Sequence, residues 1–249
     1  MKRVFLVIGL LLLSALVFAQ VSYSEELRRQ ALAGDAEAQN DLGVCYYNGE
    51  GVVQNYKEAV KWYRLAAEQG HPWAQNNLGW CFFFGEGVVK DDKEAIRWYH
   101  RAAEQGLAEA QFSLGWLYDQ GKWVVKDNKE AVRLYRLAAD QGHDRAQMCL
   151  GICYSQGKGV VKDNKEAARL YRLAADRGHA GAQSLLGACY YYGLGVPQDY
   201  VEAYFWCFLA TLLGSSDDEE YIDSSAENLT QQQLDLIDAR VWKWIDEHE

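Results

Sequence analysis

Residues 35–70 read DAEAQNDLGVCYYNGEGVVQNYKEAVKWYRLAAEQG, and this stretch recurs four more times along the chain. Three columns show the recurrence, because each holds one residue type every 36 positions without a slip. They are Gln39, Gln75, Gln111, Gln147 and Gln183; Gly43, Gly79, Gly115, Gly151 and Gly187; and Gly70, Gly106, Gly142, Gly178 and Gly214. The array therefore divides into five repeats, 35–70, 71–106, 107–142, 143–178 and 179–214. A fixed period of this length is typical of solenoid proteins.

Each repeat contains two amphipathic stretches. In the first repeat, Ala38, Leu42 and Tyr46 fall at i, i+4 and i+8, and Ala59 and Tyr63 are again four apart. This spacing places apolar side chains on one face of a helix. A glycine-containing loop separates the two stretches, so each repeat is predicted to be an antiparallel helix pair.

Helix boundaries are also visible. The second helix opens with Asn or Asp followed three residues later by Glu, which predicts a capping box. These pairs are Asn55/Glu58, Asp91/Glu94, Asp127/Glu130, Asp163/Glu166 and Asp199/Glu202. Gly70 and its equivalents follow the last turn, where a left-handed residue is favoured. Pro72 stands at the start of the next first helix, where the missing N–H costs little.

The glycine inside each first helix indicates close helix packing. Glycine in a helix interior costs about 1 kcal/mol relative to alanine, and this cost is understandable if a neighbouring helix lies against the bare backbone. A single helix pair cannot bury its own apolar face, whereas five stacked pairs share one continuous core.

These residues resemble the Sel-one-like repeat, a relative of the tetratricopeptide repeat. The pattern is Ala-x-Ala-Gln-x-x-Leu-Gly-x-x-Tyr-x-x-Gly-x-Gly-Val, then Asp-x-x-Glu-Ala-x-x-Trp-Tyr-x-x-Ala-Ala-x-x-Gly, over residues 35–214. The resemblance implies an all-α, right-handed superhelical solenoid of tetratricopeptide-like helix pairs and an adaptor role. Two departures affect local packing: Trp123 replaces the second loop glycine of repeat three, and Cys207 replaces the second-helix tyrosine of repeat five.

Both ends of the array are expected to carry capping helices. Residues 20–34 contain a short helix that would pack on repeat one, and residues 215–249 form an acidic C-terminal cap. In the cap, Thr230 and Gln233 make a capping-box pair. The final helix places its apolar residues on one face, namely Leu234, Ile237, Val241 and Trp244.

Residues 1–19 are expected to be a signal peptide. Lys2 and Arg3 precede a run from Val4 to Ala19 in which only Ser14 is polar. That run is shorter than the roughly 20 apolar residues of a membrane-spanning helix, and Ala19 is a small residue at a suitable cleavage point. The alternative is an uncleaved anchor. Either interpretation places the remainder outside the cytoplasm, in the periplasm or secreted.

The charge excludes some partners. The chain has 25 Lys+Arg against 35 Asp+Glu, a formal net charge of −10. Since no basic face stands out, nucleic acid and anionic lipid are not expected partners.

A candidate partner site lies on the first helices of repeats two and three. If these helices line the concave face, as in tetratricopeptide repeats, several aromatic and amide side chains point toward one groove: Trp73, Asn76, Asn77, Trp80, Phe83, Phe84, Phe112 and Trp116. Aromatic residues are favoured anchors at interfaces, and the amides could bond a peptide backbone. The alternative is that the aromatics only pack the core.

The cysteine and histidine columns predict structural roles. Cys45, Cys81, Cys153 and Cys189 share one column, and stacked repeats hold equivalent atoms about 10 Å apart, too far for a disulfide. We expect buried thiols there and regard Cys189 with Cys207 as the one pair to test for a disulfide. His71, His143 and His179 are too far apart to share a metal and are expected in interhelix turns. The Gln39 column is expected to bond backbone inside the stack.

The expected function is a protein-interaction scaffold that binds a peptide or protein segment, without catalysis, metal or cofactor, as a monomer. A peptidoglycan or carbohydrate binder is the alternative. An enzyme is a third possibility, because some relatives are described as acting on β-lactams and Ser155-x-x-Lys158 has the matching spacing. However, the sequence has no Ser-Asp-Asn or Lys-Thr-Gly partner motif.

Overall fold

Thirteen α-helices and no strand make up the regular structure of the residues that the computed structural model describes, 23–215 and 219–248. The helices are α1 (Glu25–Leu32), α2 (Ala36–Asn48), α3 (Tyr56–Glu68), α4 (Pro72–Phe84), α5 (Asp92–Glu104), α6 (Ala108–Gln120), α7 (Asn128–Asp140), α8 (Asp144–Gln156), α9 (Asn164–Ala175), α10 (Ala180–Tyr192), α11 (Tyr200–Leu212), α12 (Glu219–Ala226) and α13 (Gln231–His248). The predicted all-α class is confirmed.

The chain divides into two compact units, with the boundary between Leu114 and Gly115 inside α6. In the first unit, α1 packs on α2, α2 on α3, α3 on α4, and α4 on α5. In the second, α7 to α11 each pack on the next helix in the chain, and α13 packs on α11. Neighbours in sequence are thus neighbours in space, as the helix-pair prediction requires.

The glycine column contacts the tyrosine of the second helix. A Cβ built on Gly43 would lie 2.6 Å from the ring of Tyr63, and one on Gly151 would lie 2.5 Å from the ring of Tyr171. Both tyrosines are buried. In repeat five, the sulfur of Cys207 takes the place of the ring and would lie 2.3 Å from a Cβ on Gly187. The predicted close approach is confirmed, and the Cys207 replacement keeps it.

The glutamine column joins each repeat to the helix before it. The side-chain Nε2 of each glutamine donates to a backbone carbonyl eight residues earlier: Gln39 to Ala31 (3.0 Å), Gln75 to Ala67 (3.2 Å), Gln111 to Ala103 (3.3 Å), Gln147 to Ala139 (3.2 Å) and Gln183 to Ala175 (3.1 Å). These carbonyls belong to the last turn of the preceding helix, which leaves acceptors without partners. The predicted backbone role is confirmed.

The second helices are capped by their Asn or Asp, but the glutamate does not complete the box. The side chain of Asp163 accepts from the backbone N–H of Lys165 (2.9 Å) and Glu166 (3.1 Å). The N–H of Asp163 itself donates to the carbonyl of Tyr154 in the first helix (3.0 Å). Since that N–H already has an acceptor, Glu166 pairs with Arg169 instead (2.7 Å). The predicted reciprocal bond is therefore wrong.

The histidine column caps the first helices. His71, His143 and His179 are the N-cap residues of α4, α8 and α10, and each Nδ1 accepts from a backbone N–H three residues on at 3.2 Å. The prediction of a turn role is confirmed. Asp35 has the same role in α2, accepting from Ala38 at 2.8 Å.

The C-terminal helix covers repeat five. Ile237, Val241 and Ile245 of α13 are buried in a cluster with residues of α9, α10 and α11. Arg240 lies over the ring of Phe205 (3.8 Å to the centroid) and pairs with Glu202. At the start of α13, Gln233 N–H donates to Thr230 Oγ1 (3.3 Å) and Gln233 Oε1 accepts from Thr230 N–H (2.9 Å). The capping box predicted for this helix is confirmed.

The predicted signal peptide, residues 1–19, lies outside the described residues. Among the helices that are described, none combines the length and apolar character needed to cross a bilayer.

Candidate functional site

Helix α4 carries the candidate site on one of its faces. Its N-terminus is fixed by His71 and Pro72, and it ends at Gly85 with φ of 79°, where the N–H donates to Cys81 O at 2.8 Å. Helical periodicity turns Ala74, Leu78 and Cys81 into the core. The positions 73, 77, 80 and 84 share a different face, about 100° around the helix from these three, and there Trp73, Trp80 and Phe84 are 49%, 45% and 51% exposed.

A cavity of about 380 Å³ opens beside this face, within the first unit. Its walls come from α2, α3, α4 and the first turn of α6. The lining residues are Val44, Tyr47, Asn48, Tyr63, Trp73, Asn76, Asn77, Trp80 and Glu109. The structure thus brings together four predicted site residues: Trp73, Asn76, Asn77 and Trp80.

A chain of hydrogen bonds fixes the aromatic wall. The indole N–H of Trp80 donates to the hydroxyl of Tyr47 (3.0 Å), which in turn donates to Glu86 Oε2 (2.6 Å). Burial and the bond to Glu86 both raise the pKa of Tyr47. The hydroxyl therefore stays protonated at neutral pH and continues to donate to the carboxylate. Trp80 also packs on Phe84, with ring centroids 4.3 Å apart.

The two asparagine side chains at the cavity, Asn76 and Asn77, differ in their hydrogen-bond partners. Asn77 Nδ2 donates to Asn40 Oδ1 (3.2 Å), which ties α4 to α2. Asn76 is only 7% exposed, and its Oδ1 has no hydrogen-bond donor among the described residues. A buried acceptor without a donor costs about 1–3 kcal/mol. Asn76 Oδ1 is therefore a buried polar atom in the wall of the cavity, with no surface open to the cavity itself.

The other predicted aromatics do not line the cavity. Phe83 is 8% exposed, in contact with the ring of Phe84 (5.1 Å) and under Lys90 Nζ (5.3 Å). Phe112 is half-buried on α6. Trp116 belongs to the second unit, where it is 36% exposed and packs on Trp123 at 5.4 Å. Phe83 is therefore part of the wall behind the site rather than of its surface.

Sequence reasoning did not select Tyr47, Tyr63 or Glu109 for the site. Tyr47 shares its repeat column with Phe83, and Glu109 shares its column with Trp73. Tyr47 and Glu109 therefore hold the same repeat positions as two residues that were predicted for the site. Because Tyr47 and Glu109 differ in chemistry from the aromatics and amides of α4, residue type alone did not single them out.

Both residues of the Ser155-x-x-Lys158 motif, which lies in the second unit, have hydrogen-bond or ion-pair partners within the protein. Ser155 Oγ donates to the carbonyl of Ile152 (3.0 Å) and accepts from the hydroxyl of Tyr171 (3.3 Å). The ammonium of Lys158 forms an ion pair with Asp119. This arrangement explains the two residues as loop anchors at the end of α8.

All six cysteines are present as thiols. Cys45, Cys81, Cys153 and Cys189 are buried, as predicted for their column. The pair considered for a disulfide, Cys189 and Cys207, is not bonded, because Cys207 sulfur faces Gly187. Residues two apart on a helix point about 200° from each other, so Cys189 faces elsewhere. Within the described ranges no group of three His, Cys, Asp or Glu is placed to hold a metal.

Comparison with known proteins assigns the family. A model of the Sel1 repeat matches five consecutive segments, residues 36–71, 74–107, 108–143, 144–179 and 180–215. The chain belongs to the Sel1 repeat family. Sel1 repeat proteins are generally protein-interaction scaffolds and typically not enzymes. Comparison with curated proteins gives no match.

Solved Sel1 repeat structures share the fold. A Sel1 repeat protein from Oxalobacter formigenes is 32% identical over 88% of this chain and 98% of that one, with a TM-score of 0.73. A protective antigen of uropathogenic Escherichia coli with an SLR fold is 33% identical to this chain, with a TM-score of 0.59. The match covers 89% of this chain and 56% of that one. An immunity protein from Pseudomonas aeruginosa is 21% identical over 84% of this chain and 81% of that one, with a TM-score of 0.51. At this identity the similarity concerns the fold alone.

Proposed function

We propose that this Sel1 repeat protein is an exported scaffold that binds a peptide or protein segment at the α2–α4 cavity of its first unit. The observation that carries the proposal is a pair of half-exposed tryptophans, Trp73 and Trp80, side by side in the lining of one cavity. Aromatic side chains concentrate binding energy at protein interfaces.

The hydrogen bonds around Trp80 support a role in binding. A tryptophan that only filled the core would be buried, whereas Trp80 is 45% exposed and yet fixed through Tyr47 to Glu86. Fixing the ring before binding reduces the conformational entropy lost in the complex. The aromatic surface is therefore preorganised for contact.

Export is proposed from the sequence of residues 1–19 alone. Lys2 and Arg3 followed by the apolar run to Ala19 have the composition of a signal peptide. N-terminal sequencing of the protein recovered from the envelope and culture medium tests this, and a mature form beginning at Met1 in the cytosol would contradict it.

A selection from a random dodecapeptide library displayed on phage, panned against the immobilised protein, tests peptide binding. We expect recovered peptides to bind with an affinity that falls about tenfold or more in a Trp73→Ala/Trp80→Ala variant, because the variant removes both aromatic anchors. Isothermal titration calorimetry with the synthetic peptides gives the dissociation constants.

Leu65→Ala is the matched control, because Leu65 of α3 is also about half exposed (45%) but does not line the cavity. Circular dichroism must show equal helix content in all variants. Failure to recover any peptide, or equal binding by the tryptophan variant, would contradict the proposal. Binding of soluble peptidoglycan fragments that is lost in the tryptophan variant, with no peptide binding, would favour the carbohydrate alternative.

A further inference from the structure

One valine in the interhelix loop of each of the first four repeats is almost fully exposed. These residues are Val53, Val89, Val125 and Val161, with exposed fractions of 87%, 89%, 89% and 87%. The valine just before each of them is partly buried, so the loop holds one valine against the protein and directs the next toward solvent. A single exposed apolar residue is ordinary on a protein surface, but here the exposure recurs at one repeat position, and each unit has two such valines in consecutive repeats.

The loops of repeats three and four lie against each other in the second unit. Gly159 has φ of 72°, and a Cβ built on it would overlap the backbone oxygen of Asn128, the first residue of α7. Only glycine permits this approach, which seats the loop of repeat four on the end of the loop of repeat three. Val125 and Val161 are therefore neighbours, at roughly the 10 Å separation of stacked helices.

Lysines accompany these two valines. We call residues 122–129 and 158–165 the loop edge. Four of its lysines are exposed and form no ion pair within the part of the chain that the structure describes, namely Lys126, Lys129, Lys162 and Lys165. In each loop, one of these lysines directly follows the exposed valine, so apolar and cationic side chains alternate on one surface.

The carboxylates at the loop edge are engaged within the protein. Asp127 and Asp163 cap α7 and α9, where each accepts two backbone N–H groups at 2.9 to 3.1 Å. The ion pairs beside them are Glu130–Arg133, Glu166–Arg169 and Asp119–Lys158. Four exposed lysines therefore stand against two capping carboxylates, and the loop edge has a local excess of positive charge.

The corresponding loops of the first unit lack this excess. In repeat two, Lys90 pairs with Asp92 at 3.4 Å, and in repeat one Gln54 stands where repeat three has Lys126. The exposed valine is thus common to both units, whereas the surplus of lysine is specific to the second.

The net charge of the whole chain does not describe the loop edge. The formal value of −10 gave no reason to expect anionic lipid as a partner. However, salt screens exposed charges beyond about 8 Å at physiological ionic strength. The charges nearest to a docked surface therefore decide whether it is attracted, and at the loop edge most of these are lysines.

We propose that the loop edge of repeats three and four docks on an anionic phospholipid bilayer, with Val125 and Val161 in the headgroup region and the four lysines against lipid phosphates. A bilayer surface accepts protruding apolar side chains and attracts lysines through its anionic lipids. This contact is peripheral, and it uses none of the residues that line the α2–α4 cavity.

The lysines are tested by flotation of the protein with lipid vesicles at physiological salt. We expect binding to vesicles of mixed phosphatidylcholine and phosphatidylglycerol and none to pure phosphatidylcholine. Lys129→Gln/Lys165→Gln should weaken binding about tenfold, because each lysine near an anionic surface contributes to the attraction. Lys57→Gln/Lys93→Gln is the matched control, since these exposed lysines hold the same repeat position in the first unit, and it should bind like the wild type.

The valines are tested in the same way. Val125→Ser/Val161→Ser keeps the charge and should weaken binding to the mixed vesicles about threefold or more, because it removes the apolar side chains that enter the headgroup region. Val53→Ser/Val89→Ser is its control and should leave binding unchanged. Circular dichroism must show equal helix content in all four variants.

Three outcomes would overturn the proposal. The first is no binding to the mixed vesicles, or equal binding to both kinds of vesicle. The second is equal losses in a variant and its control. The third is a loss in the lysine variant without one in the valine variant, which would indicate a general polyanion surface rather than a bilayer contact.

Discussion

At the residue scale, the five glycines inside the first helices are fixed by contact rather than by backbone conformation. They have ordinary helical backbones, and what excludes a side chain is the tyrosine or cysteine of the second helix. Glycine in a helix costs about 1 kcal/mol relative to alanine. The closer packing of the helix pair offsets this cost, because it buries more apolar surface. The sequence predicted that a neighbouring helix lies close to these glycines, and the structure identifies the tyrosine or cysteine that makes the contact.

Gly151→Ala is expected to lower the free energy of unfolding by about 1–3 kcal/mol, although alanine is the better helix former. Its Cβ would lie 2.5 Å from the buried Tyr171 ring, and overpacking of this kind costs more than the propensity gains. Gly79→Ala is the control, because its nearest ring atom, in Tyr99, is 3.0 Å away, so its loss should be smaller. Urea unfolding measures both, and a stabilised Gly151→Ala would contradict the account.

The residues of the site were less predictable than the glycines. Trp73, Asn77 and Trp80 could be found from the resemblance to tetratricopeptide repeats, because it assigns one face of each first helix to the groove. The burial of Phe83 and Asn76 could not, since both depend on how α4 is rotated against α2 and α3. The sequence also could not predict that Asn76 Oδ1 lacks a hydrogen-bond donor, because this depends on which side chains surround it in the fold.

At the element scale, every second helix begins with an Asn or Asp that accepts backbone N–H groups. The sequence predicted this cap correctly and the glutamate partner wrongly. The reason is that the cap residue's own N–H donates to the first helix, for example Asp163 to Tyr154, which is a tertiary contact. A motif read along one helix cannot reveal a bond that a different helix makes.

Replacement of Asp163 tests the cap. Asp163→Ala should lower the free energy of unfolding by about 1 kcal/mol, because the N–H groups of Lys165 and Glu166 lose their acceptor. Asp163→Asn should stay close to the wild type, since Asn55 makes the same bonds in repeat one. Thermal or urea unfolding compares the three proteins. Equal losses for the two variants would show that charge, rather than the hydrogen bond, stabilises the helix.

At the scale of the whole molecule, the fixed 36-residue period determined the fold class, because each repeat buries the same columns against its neighbours. The buried thiol column is one result. Burial raises the pKa of Cys81 to about 12 and of Cys153 and Cys189 to about 11, from an ordinary value near 9.

Alkaline pH should therefore destabilise the protein. Between about pH 9 and 11 the unfolded thiols lose their protons while the folded ones retain them, so each thiol lowers the free energy of unfolding by about 1.4 kcal/mol per pH unit. Below pH 9 this contribution is fully present. Urea unfolding from pH 8 to 10 measures the slope, and Cys189→Ala should reduce it. A free energy of unfolding that does not change with pH, or an unchanged slope in Cys189→Ala, would contradict the prediction that burial keeps these thiols protonated.

The most direct test of the central claim is to locate a bound peptide on the protein. With ¹⁵N-indole-labelled tryptophan, a library-selected peptide should shift the Nε1–H resonances of Trp73 and Trp80, assigned by Trp73→Phe and Trp80→Phe, saturably and with the calorimetric dissociation constant. The resonances of Trp98 and Trp206, which are buried outside the cavity, should stay in place. Shifts confined to other tryptophans, with those of Trp73 and Trp80 unmoved, would place the binding surface elsewhere and contradict the account.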